Sequence, residues 1–378
     1  MANIIYLDNA ATSFVNPEVL ESYNQIIAKY PGNPSSIHYL GQEASRLLEK
    51  SREQVLHVLN LSHHEVIFTS GATEANNLAI KGYCLANKNR GNHIITSGVE
   101  HPSVLNACLD LKELGFEVTV LPVNQKGQIE VKDLIESITD KTILVSLMSV
   151  NNEVGAINPI KEVGEYLKRF PTIAFHVDMV QAIGKIDIPL DNIDMFSIAG
   201  HKIHALGGCG LLIKEKKIIL KAINSGGGQE SNLRSGTNTL ALSASLSKAL
   251  RIALKEQKEN YQKVKQLSNR LLAYLKDHQD LYHLNSFEDD NPYIVNFSLL
   301  HHKASVVVEA LSNRGIMVSS LSACHSKRKN YSAVIFAMTN DLDLASNTIR
   351  VSFSENNTLA EVETFINTLK SIIREIKQ

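Results

Sequence analysis

Ile173-Ala-Phe-His-Val-Asp178 is a short, mostly apolar run that stops on a carboxylate, with Gln181 three residues further on. Runs of four to eight such residues, separated by helical patterns, suit strands buried on both faces of a sheet. Comparable runs lie on either side: Val66–Thr69, His93–Ser97, Phe116–Leu121, Ile143–Val150, Met195–Ile198 and Gly210–Ile213. The helical patterns between them include Pro102–Leu114 and Pro159–Phe170, each opened by a proline suited to a first helical turn. This alternation, from about residue 65 to 215, predicts an α/β fold with a mostly parallel sheet covered on both faces.

After Thr237 the pattern changes. A long helical stretch from about Asn238 to Lys276 leads to a strand at Tyr293–Leu300 and helices near Ala304–Arg314 and Tyr331–Met338. A strand at Thr348–Phe353 and a last helix follow. Leu359, Val362, Phe365, Ile366, Leu369, Ile372, Ile373 and Ile376 form a 3.6-period apolar face on that helix. This half reads as a smaller α+β domain. The boundary falls inside the long helix near residue 255, giving a large domain over 16–255 and a small one from 1–15 and 256–378. A chain of 378 residues also fits two domains by length.

Composition narrows the class. Lys+Arg (38) and Asp+Glu (39) nearly cancel, so no global electrostatic footprint points to nucleic acid or an anionic membrane. With 44% hydrophobic and 20% charged residues, the chain reads as an ordinary globular protein. Four scattered cysteines, Cys84, Cys108, Cys209 and Cys324, include no CxxC pair, which argues against a disulfide framework or a four-cysteine zinc site. The opening Met-Ala-Asn-Ile-Ile-Tyr-Leu-Asp lacks the basic and long apolar regions of a signal peptide, and no apolar run approaches a membrane span. A soluble cytoplasmic protein is expected.

In open α/β sheets, ligands bind beyond the carboxyl ends of the strands. Five predicted strand ends deliver small, polar or ionisable residues: Ser70-Gly-Ala-Thr-Glu74, Glu100-His-Pro102, Asn151-Asn-Glu153, Asp178 with Gln181, and Ala199-Gly-His-Lys202. Each alone fits a plain structural role, such as a helix cap or a solvated lysine; together they mark a ligand site. Ser70–Thr73 opens a helix whose N–H groups favour an anion, with a hydroxyl from Thr73. Neither a Walker A nor a G-x-G-x-x-G sequence is present, so a nucleotide is not the first choice. A buried Asp178 needs a partner, and a cationic ring nitrogen would serve. Lys202 follows an apolar strand, where desolvation makes it a usable amine. An anion cup, a buried carboxylate, an imidazole (His101) and an amine together match pyridoxal 5′-phosphate.

With these residues in view, the sequence resembles the cysteine desulfurases, the NifS/IscS-like branch of the class V pyridoxal-phosphate enzymes. The resemblance covers nearly the whole chain. It is carried by Tyr6-Leu-Asp-Asn-Ala-Ala-Thr12, Gly32-Asn-Pro-Ser-Ser-Ile-His38, Phe68-Thr-Ser-Gly-Ala-Thr-Glu-Ala-Asn-Asn77 and Glu100-His-Pro102. Val150-Asn-Asn-Glu-Val-Gly155, His176-Val-Asp178 with Gln181, Gly200-His-Lys-Ile-His204 and Gly226-Gly-Gly-Gln-Glu230 add to it. So do Arg234-Ser-Gly-Thr237, Ser319-Ser-Leu-Ser-Ala-Cys324 and Ile349-Arg350.

It implies the fold type I, aspartate aminotransferase-like architecture and a set of roles. Lys202 would carry the cofactor and later move the Cα proton. His101 would stack on its ring and exchange protons with the substrate, Asp178 would hold the ring nitrogen and Gln181 the ring hydroxyl. Ala72 N–H, Thr73 and His201 would bind phosphate beside Ala199, joined by Thr237 of a second copy, which implies a homodimer. Asn152 and Arg350 would clamp the substrate carboxylate. Arg350 also lies on the opposite side of its strand from Ile349, Val351 and Phe353, and planar carboxylate binding suits arginine.

Cys324 would be the nucleophile, in a Ser/Ala segment followed by His325, Lys327, Arg328 and Lys329, whose positive charge favours thiolate. The implied reaction turns L-cysteine into L-alanine and leaves a persulfide on Cys324. Its sulfur would pass to an acceptor protein for iron–sulfur cluster assembly or tRNA thiolation. No resident metal is implied, only a transient iron–sulfur contact at Cys324. Cys84, Cys108 and Cys209 read as packing residues. Ala199 replaces the family's usual Ser or Thr, Ser231-Asn232 the usual Arg-Gly, Ala205-Leu206 the usual Pro-Lys, and Leu321 a common Gly. The alternatives are another class V reaction, selenocysteine lysis or transamination, or a pyridoxal-phosphate-binding sulfur carrier with weakened turnover; transamination has no use for Cys324.

Overall fold

The computed structural model describes residues 4–320 and 331–376. A seven-stranded sheet runs in the order His64–Thr69, Gly210–Glu215, Met195–Ala199, Ala174–Asp178, Thr142–Met148, His93–Ser97, Glu117–Leu121. The last five pair in parallel, and Gly210–Glu215 runs antiparallel to both its neighbours. The seven apolar runs are thus the seven strands, with ends shifted by one or two residues.

Successive residues of these strands enter opposite cores. Phe68, Ile95, Val145, Phe175, Phe196 and Leu211 lie in one, and Ile67, Ile94, Leu144, Ala174, Met195 and Leu212 in the other. That two-residue alternation, apolar on both sides, requires helices on both faces and explains why the runs carry no polar stripe. Removing one such aromatic, Phe175 for example, would cost about 3–5 kcal/mol.

Pro102 begins its helix as expected, behind His101 as N-cap, and that helix gives way at Leu111 to a 3-10 turn ended by Gly115 at φ 84°. Pro159 instead stands just before the helix Ile160–Leu167, as its cap residue.

A second, antiparallel sheet has the order Ser319–Ser320, Thr348–Ser352, Ile294–Leu299, Tyr282–Leu284. The helix Leu359–Ile376 covers it with Val362, Phe365, Ile366, Leu369, Ile372 and Ile373, all buried; Leu359 and Ile376, at the ends of the expected face, are exposed. The N-terminal strand Ile5–Tyr6 pairs in parallel with Ile316–Met317. One helix, Leu240–Lys276, serves both cores: Leu240, Leu246 and Leu250 pack in the large one, Val264, Leu271 and Leu275 in the small one. No helix among the described residues is long and apolar enough to cross a membrane.

Candidate active site

Asp178 ends its strand in the middle of the large sheet and is 5% exposed. One carboxylate oxygen accepts from Val180 N–H (3.0 Å) and the other from Asn76 Nδ2 (2.8 Å). Burial raises its pKa, while those hydrogen bonds and the nearby His101 and Lys202 oppose the rise. A carboxylate in this position favours a cation beside it.

Asn76 and Ser103 join Asp178 to His101. Asn76 Nδ2 also donates to Ser103 Oγ (2.9 Å), and Ser103 Oγ lies 2.8 Å from His101 Nδ1. Ser103 N–H donates to the same Nδ1 at 3.1 Å. Because Ser103 Oγ accepts from Asn76, its own proton is free for Nδ1. Nδ1 is therefore an acceptor, and the neutral ring carries its proton on Nε2.

Lys202 closes the single 3-10 turn Gly200–Lys202 that follows the Met195–Ala199 strand. Its Nζ donates to Ala10 O (2.5 Å) and Ala11 O (2.6 Å). Burial, reinforced by the charge of Arg350, lowers its pKa to about 8 against the pull of Asp8 and Asp178. An amine so placed reaches the neutral, nucleophilic form near physiological pH. Gln181 Nε2 donates to the same Ala10 carbonyl (3.1 Å), and Gln181 Oε1 accepts from Lys185 Nζ (2.7 Å).

The anion cup is built from close packing. The helix Ala72–Asn77 has no side-chain cap on its first turn, leaving the N–H groups of Ala72 and Thr73 for a ligand. Gly210, opposite Ala199 in the sheet, permits the approach: a Cβ there would stand 2.6 Å from Gly71 Cα. Glu74 leaves the cup to others. It accepts from Ser70 N–H (2.6 Å) and pairs with Arg234 (2.8 Å). His201, half-buried, lies 3.3 Å from Thr12 Oγ1; burial and the charges of Lys202 and Lys185 lower its pKa to about 4. Thr237 is exposed, outside this cluster, in the connection before the long helix.

Arg350 sits on a central strand of the small sheet and is 5% exposed. Its guanidinium donates to Asn152 O (2.9 Å), to Asp8 Oδ1 (2.9 Å) and to Ser319 Oγ (3.4 Å). Its Nε is buried without a hydrogen-bond partner among the described residues. This brings Asn152 and Arg350 together, as the sequence suggested, and adds Asp8.

Glu100, at the head of the Glu100-His-Pro102 strand end, was given no role of its own by the sequence. It accepts from Ser97 Oγ (2.7 Å) and Met148 N–H (2.9 Å), and burial raises its pKa to about 8. Cys84, Cys108 and Cys209 are buried; burial raises Cys84 well above the ordinary thiol value and both Cys108 and Cys209 to about 12, as packing residues require. Cys324, with Leu321 and the basic run after it, lies outside the described residues.

Among known proteins, the aminotransferase class-V family matches residues 5–365. A NifS/IcsS protein homolog of Lactobacillus delbrueckii subsp. bulgaricus is 41% identical, over 99% of this chain and 98% of its own. The cysteine desulfurase IscS of Clostridium botulinum is 36% identical over 99% of this chain and 95% of its own. A solved NifS-like protein superposes with a TM-score of 0.91 at 32% identity, over 98% of this chain and all of its own.

Proposed function

The chain belongs to the class-V aminotransferase family, in its NifS/IscS cysteine desulfurase branch, and from that premise we propose that it converts L-cysteine to L-alanine with pyridoxal phosphate and stores the sulfur on Cys324. The observation that carries the reading is the convergence of Lys202, Asp178, His101 and Arg350 around one site.

The residues fit the cofactor. A carboxyl raised by burial at Asp178 suits a ring cation, the uncapped turn at Ala72–Thr73 with His201 suits a phosphate, and Lys202 is an amine of lowered pKa. Gln181 would hold the ring hydroxyl through Nε2. Ala199 supplies no hydroxyl to the phosphate, a loss of roughly 1.5–3 kcal/mol if that bond is charge-assisted. Thr237 of a second copy would complete the phosphate site, making the working unit a homodimer. When bound, the cofactor supplies the electron sink that stabilises a carbanion at Cα.

Asn152 and the Nε of Arg350, which has no hydrogen-bond partner among the described residues, would receive the substrate carboxylate. Lys202 would take and return the Cα proton, and His101 would exchange protons through Nε2. The Cys324 thiolate would attack the substrate sulfur: the S–S bond forms as the C–S bond breaks. The electron pair stays with the carbon skeleton, which gains protons and leaves as alanine. The persulfide would pass to an acceptor protein in the cytoplasm, for iron–sulfur assembly or tRNA thiolation. The units 16–255 and 1–15 with 256–378 remain part of this proposal; the split of the long helix between two cores supports it.

The test is direct. The purified protein should show a visible cofactor band and, with L-cysteine and a reductant, release alanine and sulfide in equal amounts. Cys324→Ala and Lys202→Ala should abolish both products. A cofactor-loaded protein that yields neither overturns the proposal.

A further inference from the structure

Lys185 is a buried lysine to which the proposed reaction gives no task. It is 8% exposed, one helical turn past Gln181, and forms no ion pair with a described residue. Its Nζ donates to Gln181 Oε1 at 2.7 Å and lies 5.9 Å from the centre of the Tyr293 ring. With Lys202, Tyr293 and Glu355 it lines a small cavity of about 40 Å³ on the side of Lys202 next to the second core. Burial, reinforced by the charge of Lys202, lowers the Lys185 pKa to about 7 against the pull of Glu355.

We propose that Lys185 is a positioning residue that fixes which end of the Gln181 amide faces the cofactor, an inference that rests on the pyridoxal-phosphate reading of this site. In its charged form the head has donors and no acceptor, so it stands beside the Gln181 oxygen and not beside its nitrogen. Ala10 O, an acceptor, meets the opposite end of the amide at 3.1 Å. Between them the amide has one orientation, with both N–H donors on the side of Ala10 and Lys202. One donor is used by Ala10 O; the other is left for the ring oxygen of the cofactor. Asn291 Nδ2 donates to the Gln181 backbone carbonyl (2.9 Å) and holds the turn in place. Without Lys185 the amide can invert and present its oxygen to the ring oxygen, acceptor against acceptor.

The test uses the cofactor-loaded full chain and reads the pH midpoint of its visible band, with no turnover. Lys185→Met should raise that midpoint by about one pH unit, a tenfold change in proton affinity, since a hydrogen bond to the ring oxygen favours its charged form. Gln181→Met should raise it similarly, and the double variant no further than Gln181→Met alone. Lys185→Leu replaces Lys185→Met should the latter fail to fold. An unchanged midpoint in the lysine variant overturns the inference, and so do shifts that add in the double variant, because a through-space charge effect would add. A wild-type chain that takes up no cofactor overturns the reading beneath it instead.

Discussion

Glu230 closes one end of the segment that carries Thr237, and Glu230→Gln tests whether this closure is structural. The Glu230 side chain is 2% exposed and that of Arg52 17%. Its carboxylate accepts four hydrogen bonds: from Arg52 through two nitrogens (2.6 and 2.7 Å), from Phe68 N–H (2.8 Å) and from Asn238 Nδ2 (2.6 Å). Each oxygen faces two donors, so an amide nitrogen in place of either oxygen sets donor against donor twice. It also strips the half-buried guanidinium of its buried carboxylate, leaving only Glu49 Oε1 at 3.1 Å from its Nε. Breaking a buried pair from one side costs about 3–5 kcal/mol. With an unfolding entropy of about 2.1 cal/mol/K per residue, a chain of this length loses about 4–6 °C in Tm. Urea unfolding followed by far-ultraviolet circular dichroism should show the midpoint falling at constant slope. Arg52→Met combined with Glu230→Gln should be less destabilised than the sum of the two single changes, by more than about 1 kcal/mol. A Glu230→Gln variant that stays within about 1 kcal/mol of the parent would refute this, because the carboxylate would then not be what holds the segment.

Asp8→Asn removes the only carboxylate paired with Arg350 among the described residues, so the cofactor-loaded protein should melt lower, and added L-alanine, whose carboxylate replaces the lost anion, should recover more of the loss than it gives the parent. Equal gains in both proteins would refute that. Ser103→Ala frees His101 Nδ1 from the serine hydroxyl and should lower kcat about tenfold with KM little changed, with a displaced pH profile for alanine formation; an unmoved profile would count against the tautomer assignment. The contribution of His176 to stability should fall on acidification below about pH 6.5, opposite in sign to that of Glu100, whose raised carboxyl takes up its proton in the folded chain first. His176, buried between Ser146 and Ser197, has its pKa lowered to about 3, so the unfolded chain takes up a proton that the folded chain refuses. The stabilisation is complete above pH 6.5 and diminishes toward pH 3. At pH 5 this residue alone accounts for about 2 kcal/mol, measurable as a flatter acid limb in His176→Gln. His64, His93 and His201 shift in the same direction.

The strands and the residues at their ends were legible because both arise from local pattern. A run apolar at every position belongs to a two-sided sheet, and the residues just after it lie at the carboxyl edge where ligands gather. Asp178, Lys202, His101 and the Ser70–Thr73 turn could be found that way. Groups defined by long-range pairing could not. Asp8 and Arg350 are 342 residues apart, Arg52 and Glu230 178, Asn76 and Asp178 102. No periodicity links such positions, and a charged residue in isolation reads as a solvated one. Lys185 illustrates the problem: nothing local in Gly184-Lys185 announces that the helix Leu240–Lys276 brings Ala253 Cβ within 2.8 Å of where a Gly184 side chain would begin.

The N-terminal segment shows why the site needs both cores. Leu7 N–H bonds to Met317 O (2.9 Å) and Ala10 N–H to Ser352 Oγ (2.9 Å), which binds its first half to the strand Ile316–Met317 and to the small sheet. Ser13 N–H bonds to His201 O (2.9 Å), which binds its end to the turn of Lys202. Between these anchors, Asp8 takes the Arg350 guanidinium while the carbonyls of Ala10 and Ala11 take the Lys202 amine. The substrate-binding arginine and the cofactor-binding lysine of the proposed reaction are therefore spaced by a tight turn over Asn9–Ala11, which Ala11 N–H closes on Asp8 O (3.0 Å). The separation of carboxylate clamp and amine is thus set by main-chain bonds to Met317 and His201 together with the side chains of Asp8 and Ser352.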